Sequence, residues 1–481
     1  MSPLVHGGWH WGRHWGRHSG RHSGRRVGWR GLLLVLCWAL SPALSALTLE
    51  QAFDAALSHD AGFQAALRER QAGQEFKALG RANLLPSLTF THGWARNRSE
   101  VEQDSQFGTL TEQRDYRSYN AALRLEQPLF DYGAWVARRI GNDRAARAEL
   151  EFEARLQTLA TDTLEAYTGV LLARDRKRLA ERQVTVLEAL RERNGALVRA
   201  GEGTVTEQLE TESRLALARA ELIGARQQWA LARRRLNTLT GLFVEPGALP
   251  ESTPQAPPLP AMTLPEWFQQ ARTHSPVLGL QRSDLRVAEG EVERQRAGHF
   301  PRLSLYASTR RTDSDSETTY GQHYDTDTIG LQLSVPLYDG GGVSAARRQA
   351  VARRAASEYR LREQRETVLA AVEQRWLECQ DDLHRLRVLA LAADSAEQLV
   401  TATRRSLEGG ERNNQDLLEA QRQAHQARRD LAEVRYHYLN AWLGLHRDAG
   451  LLTVARLRDV SQALVSKGSE SVAEATVPHA P

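Results

Sequence analysis

Between Gly133 and Ala200 the chain runs without a proline, and apolar side chains recur through it at alternating steps of four and three. The file reads Phe152, Leu156, Leu159, Thr163, Ala166, Val170, Ala173, Lys177, Ala180, Val184 and Leu187, broken only by Thr163 and Lys177. That spacing keeps one stripe of a helix against a partner helix, the seam of a coiled coil. At 1.5 Å per residue such a stretch reaches roughly 100 Å, far beyond the width of a compact domain. After a turn at Gly201-Glu202-Gly203 a returning seam runs Leu215, Ala218, Leu222, Ala225, Trp229, Ala232, Leu236 and Leu239. A length of 481 residues would ordinarily suggest about three domains. The seams point instead to an extended antiparallel helical rod or barrel wall.

The chain is also written twice. Thr48-Leu49-Glu50, Phe53, Ala56 and His59 recur as Thr263-Leu264-Pro265, Phe268, Ala271 and His274. Leu85-Pro86-Ser87-Leu88 recurs as Phe300-Pro301-Arg302-Leu303 at the same offset of 215. Gln127-Pro128-Leu129-Phe130-Asp131-Tyr132-Gly133 then recurs as Val335-Pro336-Leu337-Tyr338-Asp339-Gly340-Gly341 at 208, so the first copy carries about seven extra residues, expected in a surface loop. The returning seam reappears as Ala424, Ala427, Leu431, Val434, Tyr438, Ala441 and Leu445. Each copy predicts a helix, an alternating segment, a polar loop, a second alternating segment and a long helical pair. Leu88, Phe90 and Trp94 alternate with polar or small residues, as do Leu303, Leu305 and Ala307, and Ile329, Leu331, Leu333 and Val335. Such alternation reads as strands with one apolar face. Four strands cannot close a barrel, and open edges are unsatisfied in lipid, so partner chains are expected.

These landmarks divide the chain into a leader over 1–46, a first repeat over 47–244, a linker over 245–265, a second repeat over 266–460 and a tail over 461–481. The linker holds seven prolines, which predicts an extended crossing over the outside of the structure. The tail is polar after Lys467 and is expected to be disordered. The leader has six arginines and no acid, then the apolar run Gly31–Leu40 and the small residues Ala43, Ser45 and Ala46. This is the layout of a secretory signal peptide cleaved near Ala46, so an exported protein is expected. Upstream, His6, His10, His14, His18 and His22 fall every fourth residue within a Gly-Arg-His repeat, read as low-complexity sequence rather than a metal stripe.

The leader also explains the charge. The whole chain carries 63 Lys+Arg against 59 Asp+Glu, but without the leader 57 basic residues face 59 acids. The basic balance therefore gives no support to nucleic-acid binding, and the remaining arginines interleave with glutamates as a solvated helix face does. Two cysteines, Cys37 and Cys379, exclude a disulfide framework and any cysteine-based metal cage. No Gly-x-Ser-x-Gly elbow, Gly-Lys-Ser/Thr loop or His/Glu pair with metal spacing occurs, so neither catalysis, cofactor nor metal is expected. Gly340-Gly341-Gly342 lacks the lysine of a phosphate cradle and reads as a tight strand-to-helix turn.

In their order and duplication these features resemble the TolC-type outer-membrane efflux and secretion channels. The likeness rests on Leu84–Leu88 with Pro301–Leu303, on Gln127–Asp131 with Val335–Gly341, and on Ala432–Leu443 followed by Ala449-Gly450 and Leu452. The resemblance implies a mainly α protein with membrane β-structure. Each chain of a homotrimer gives four strands to one 12-stranded β-barrel in outer-membrane lipid, continued by a coiled-coil α-barrel into the periplasm. It implies a passive exit duct, for type I protein secretion or general efflux, working with a periplasmic adaptor (membrane fusion protein) and an inner-membrane ABC or proton-driven transporter.

Under the same resemblance the helical turns become the periplasmic tip, with Gly201, Glu202, Gly203, Gly409, Gly410 and Glu411 as adaptor contacts. Glu207 and Arg412 become a tip latch, and Asp416 with Glu419 an acidic ring around the aperture. Leu407 stands where the family often has an aromatic. A periplasmic adaptor or a structural coiled-coil protein is the alternative, but an adaptor has a single hairpin where this chain has two, and a bare coiled coil leaves the strands unexplained.

Overall fold

A computed structural model describes residues 47–244, 249–250, 254–314 and 322–465. The expected signal peptide and the last sixteen residues lie outside them. The first repeat opens with α1 (Leu49–His59), α2 (Ala61–Gln74) and α3 (Phe76–Ala82), where a single helix was expected. Strands β1 (Ser87–Ser105) and β2 (Gly108–Phe130) follow, then α4 (Tyr132–Ala200) and α5 (Val205–Thr240). The second repeat runs α6 (Leu264–His274), α7 (Pro276–Arg296), β3 (Arg302–Ser314), β4 (Gln322–Ser334), α8 (Gly342–Glu408), α9 (Asn414–Asp448) and α10 (Val454–Val465).

Repeated sequence landmarks turn out to be helix starts. Thr48 caps α1 with Gln51 as the reciprocal partner, and Thr263 caps α6 with Glu266, each satisfying backbone N–H groups that a first helical turn leaves free. The acids of the Phe130-Asp131 and Tyr338-Asp339 pairs do the same at the strand-to-helix junctions. Asp131 accepts from Ala134 N at 3.0 Å, and Asp339 accepts from Val343 N at 2.5 Å and Gly341 N at 3.1 Å. Gly340 and Gly341 take φ of 68° and 83°, left-handed values that a side chain would strain, which is the tight turn expected there.

The long seams face inward. Leu159, Thr163, Ala166, Val170, Ala173, Ala180, Val184 and Leu187 are buried on α4, against Leu215, Ala218, Leu222, Ala225 and Leu236 of α5. Both polar interruptions are accommodated. The Thr163 hydroxyl donates to Leu159 O at 2.7 Å. The Lys177 ammonium lies 4.4 Å from the centre of the Trp229 ring, where the π-face attracts a cation.

The four strands form one antiparallel sheet in the order β1-β2-β3-β4, so β2 and β3 join the two repeats. Leu88 pairs with Leu125, Phe90 with Leu123, Leu305 with Leu331 and Leu303 with Leu333, which puts an apolar band on one face. The other face carries Thr89, Thr91, Asn97, Arg124, Glu126, Ser304, Tyr306, Gln332 and Ser334. The outer edges of β1 and β4 have no neighbouring strand among the described residues.

Three boundaries differ from expectation. The stretch expected as a polar loop in the first copy is strand: β1 continues to Ser105 and β2 begins at Gly108, so the extra residues lengthen a hairpin. Alternation there is carried by polar residues, and cross-strand contacts such as Arg98 to Asp115 at 3.1 Å replace an apolar face. Helix α6 begins at Leu264, inside the expected linker, because the Thr263 cap and a proline in the first turn favour an earlier start. The tail expected from 461 begins as helix, since α10 runs to Val465 and buries Leu457 and Val460.

The larger core gathers α1, α6 and α10 around the middles of α4 and α8 and the C-terminal end of α9, with Tyr167, Trp267, Tyr436, Tyr438 and Leu439 enclosed. It also anchors the linker through carbonyl groups. Arg174 Nη1 donates to Pro250 O at 2.6 Å, Tyr438 Oη to Pro257 O at 2.5 Å and Trp442 Nε1 to Pro258 O at 3.2 Å. Prolines have no N–H to satisfy, so burying their carbonyls against donors leaves nothing unpaired.

His446 sits in this core between Trp442 and Trp267, its Nδ1 2.8 Å from Trp442 O. Burial depresses its pKa from 6.5 to about 4. The unfolded chain therefore binds this proton below pH 6.5, whereas the folded chain resists it until about pH 4, so stability falls as pH drops through that window. The loss reaches about 3 kcal/mol from this residue alone. In urea titrations of the detergent-solubilised protein, His446→Gln should remove that part of the decline between pH 6.5 and 4.

Candidate functional site

The helices end in two turns built alike. At the first, Gly201 takes φ 78°, and the N–H groups of Glu202 and Gly203 donate to Leu197 O at 2.9 and 3.1 Å, closing the last turn of α4. At the second, Gly410 takes φ 78° and Glu411 N donates to Ser406 O at 2.9 Å. Gly201, Glu202, Gly409, Gly410 and Glu411 are exposed and Gly203 is half-buried. A side chain at Gly203 would come within 3.0 Å of Leu197 Cβ.

Each returning helix then starts with the same cap. Thr204 caps α5 with Glu207 as its partner, and Asn413 caps α9 with Asp416 as its partner. The residues expected as half of a latch and half of an acidic ring thus occupy equivalent positions, with a shared local task. Glu207 Oε2 accepts from Thr204 N at 3.1 Å and Thr204 Oγ at 2.9 Å. Arg412 lies 3.7 Å from Asp416. The Glu207–Arg412 latch expected from the sequence is therefore not formed within the chain, because a helix N-terminus holds the acid and a nearer acid holds the arginine.

The expected ring also carries less net negative charge than its carboxylates suggest. Glu419 accepts from Arg422 Nε at 2.9 Å, Arg422 Nη2 at 2.5 Å and Gln423 Nε2 at 3.1 Å. The Arg422 guanidinium, followed by the Gln423 amide, lowers its pKa to about 2, so it stays ionised at any physiological pH. Asp416 and Glu419 are accordingly accompanied by Arg412 and Arg422, two cations beside two anions.

A polar cluster that the sequence reading missed lies just inside the tip. Asn194 on α4 donates its amide to Thr211 Oγ1 on α5 at 3.0 Å, and Asn414 on α9 donates to the same oxygen at 3.4 Å. The Thr211 hydroxyl donates in turn to Glu207 O at 2.9 Å. One donor and two acceptor sites are then all in use, and all three residues are buried. This oxygen ties the two hairpins together near the tip, where Leu190, Leu215, Leu417 and Leu418 form part of one buried apolar cluster. Its signal in the sequence is phase: Asn194 and Thr211 continue the four-three seams as polar residues at positions otherwise apolar.

Thr211→Val keeps the shape but leaves two buried amides without an acceptor, at about 1–3 kcal/mol. Hydrogen exchange at the tip should accelerate in Thr211→Val, while Thr211→Ser should exchange as the wild type does.

A four-stranded sheet with one apolar face, set on helical hairpins with exposed turns, defines a wall segment of a membrane channel. The family profile described as outer membrane efflux protein matches residues 52–242 and 267–451. The chain therefore belongs to the outer membrane efflux protein family, whose place is the outer membrane and whose role is export. The alkaline protease secretion protein AprF of Pseudomonas aeruginosa is 40% identical over 423 residues, covering 88% of each chain. The proteases secretion protein PrtF of Dickeya chrysanthemi is 37% identical, covering 88% of this chain and 92% of its own. The fold is that of the Campylobacter jejuni CmeC outer membrane channel, with a TM-score of 0.72 at 15% identity over 86% of this chain and 89% of that one.

Proposed function

We propose that three copies of this chain assemble into a passive outer-membrane exit duct for a tripartite export system, and that its cargo is a secreted protein. The observation that carries the reading is the sheet: four strands with an apolar face and two free edges, continuous with helices of 69 and 67 residues. Alone it would leave backbone groups bare in lipid; closed on two further copies it becomes a 12-stranded barrel with no edges. Among the described residues no helix is long and apolar enough to cross a membrane, and the sheet supplies the apolar face. A protein cargo is favoured over small-molecule efflux by the two relatives named for protease secretion.

Helix α8 supports the assembly as well. Tyr359, Leu377, Val388, Leu391 and Leu399 are exposed on it, an apolar stripe left without a partner in one chain. On this reading the turns around Gly201–Gly203 and Gly409–Glu411 form the periplasmic end that an adaptor contacts, with an inner-membrane transporter supplying the energy. Asp416 and Glu419 of three copies would stand around the aperture, their repulsion held down by Arg412 and Arg422.

Outer-membrane fractions run unheated on a denaturing gel should show a band near three times the mass of the processed chain, which collapses on boiling to a single chain smaller than the 53.9 kDa of the full sequence. Chains recovered as monomer from the soluble periplasm would overturn the duct. Arg412→Glu removes the cation beside Asp416 and adds three carboxylates to the aperture; single-channel conductance of reconstituted protein should rise, with a stronger preference for cations.

A further inference from the structure

The two free edges of the sheet carry matching side-chain files on their outward face. Along β1 the file reads Leu88, Phe90, His92 and Trp94, followed by Arg96 and Arg98. Along β4 and the residue after it the file reads Val335, Leu333, Leu331 and Ile329, followed by Asp327 and Asp325. The β1 file is three apolar side chains and a histidine, the β4 file four apolar side chains, and each is followed by two charges, positive on one edge and negative on the other. Among the described residues neither Arg96 nor Asp327 is within ion-pair distance of an opposite charge in its own chain, although the charge of Arg96 is felt at Asp115, whereas Arg98 is paired with Asp115 at 3.1 Å and Asp325 with Arg311 at 2.7 Å. Arg96 also stands directly opposite Arg117 in its own hairpin, a like-charge neighbour that destabilises the pair unless an acid joins it.

We propose that the barrel closes in the register that sets Asp327 of one copy beside Arg96 of the next. This rests on the trimeric reading above and adds to it the residues that specify the joint. The occupant of each free edge is a second copy of this chain, identified by charge and apolar complementarity. In this register Ile329 meets Trp94, Leu333 meets Phe90 and Val335 meets Leu88, while Asp325 meets Arg98 and extends two existing ion pairs into one network across the joint. The lumen face matches too, with Gln332 beside Thr91 and Thr328 beside Ala95.

Neighbouring registers fail on chemistry. A slip of one residue turns every apolar side chain of one edge into the lumen. A slip of two places Asp327 against Trp94 in one direction and Ile329 against Arg96 in the other. Combined with the observed pairings within the sheet, the proposed register gives strands tilted by about 45°, the range of closed barrels.

The test uses the full chain, in which Cys379 is buried. Arg96→Cys with Asp327→Cys should give a covalent ladder to the trimer under a mild oxidant, at least tenfold faster than Trp94→Cys or Arg98→Cys paired with Asp327→Cys. Faster cross-linking of either control pair, or none of any pair, in chains that still run as heat-labile trimer would overturn the register and leave the trimer standing. A wild-type protein without a heat-labile trimer would overturn both. Arg96→Asp should lower the temperature at which the trimer dissociates, and adding Asp327→Arg should restore it; a double variant no better than the single one counts against the pair.

Discussion

An unpaired strand edge has water to bind at a protein surface and nothing to bind in hydrocarbon. That constraint organises this molecule. Strands β1 and β4 lie at the edges of the sheet, with Leu88, Phe90, Leu331 and Leu333 on its apolar face and serine, threonine and glutamine on the other. An apolar outside and a polar inside suit a wall between lipid and a water-filled lumen. Only closure on further strands satisfies the backbone of such a wall.

The helices meet a second constraint, that of length. Helices of 69 and 67 residues cannot be covered by a compact core, so their stability has to come from neighbours along the whole rod. Where α4 and α5 meet, the four-three seam supplies it within the chain. Helix α8 packs on α9 likewise but carries a further apolar stripe, through Tyr359, Leu377 and Leu391, that is open, which fits a tube in which each chain covers the next. The dense core around Trp267, Tyr438 and Trp442 interrupts the rod as a collar. It turns the proline-rich linker from a loose crossing into a strap held by Arg174, Tyr438 and Trp442.

At the tip, local and global roles fall on the same residues. The family resemblance makes Glu207 and Asp416 parts of a tip aperture, and their positions in the chain are first of all those of helix caps. A carboxylate three residues past a threonine or asparagine satisfies a free N–H wherever the helix starts. Such an acid is no indication by itself of a contact between helices. The contact that joins the hairpins inside one chain is the Thr211 hydroxyl, reached by Asn194 and Asn414. These are seam positions whose polarity was visible but whose partners were not.

Much of the fold was legible without coordinates because it is periodic. The seam from Phe152 to Leu187, the strands at Leu88 and Ile329 and the duplicated Pro-x-x-Asp turns all announce themselves by spacing, and spacing is a property of the chain. The hairpin beyond Trp94 reads as a polar loop because polar strands lack an apolar rhythm. The partners of Arg412, Glu419 and Thr211 were out of reach because ion pairs and shared hydroxyls depend on which helix faces which across hundreds of residues. The sequence by itself determined the duplication, the rod, the half-apolar sheet and hence the need for partner chains. The tertiary structure decided which carboxylates are free and which are already held, since that follows from distances of a few ångströms that no periodicity encodes.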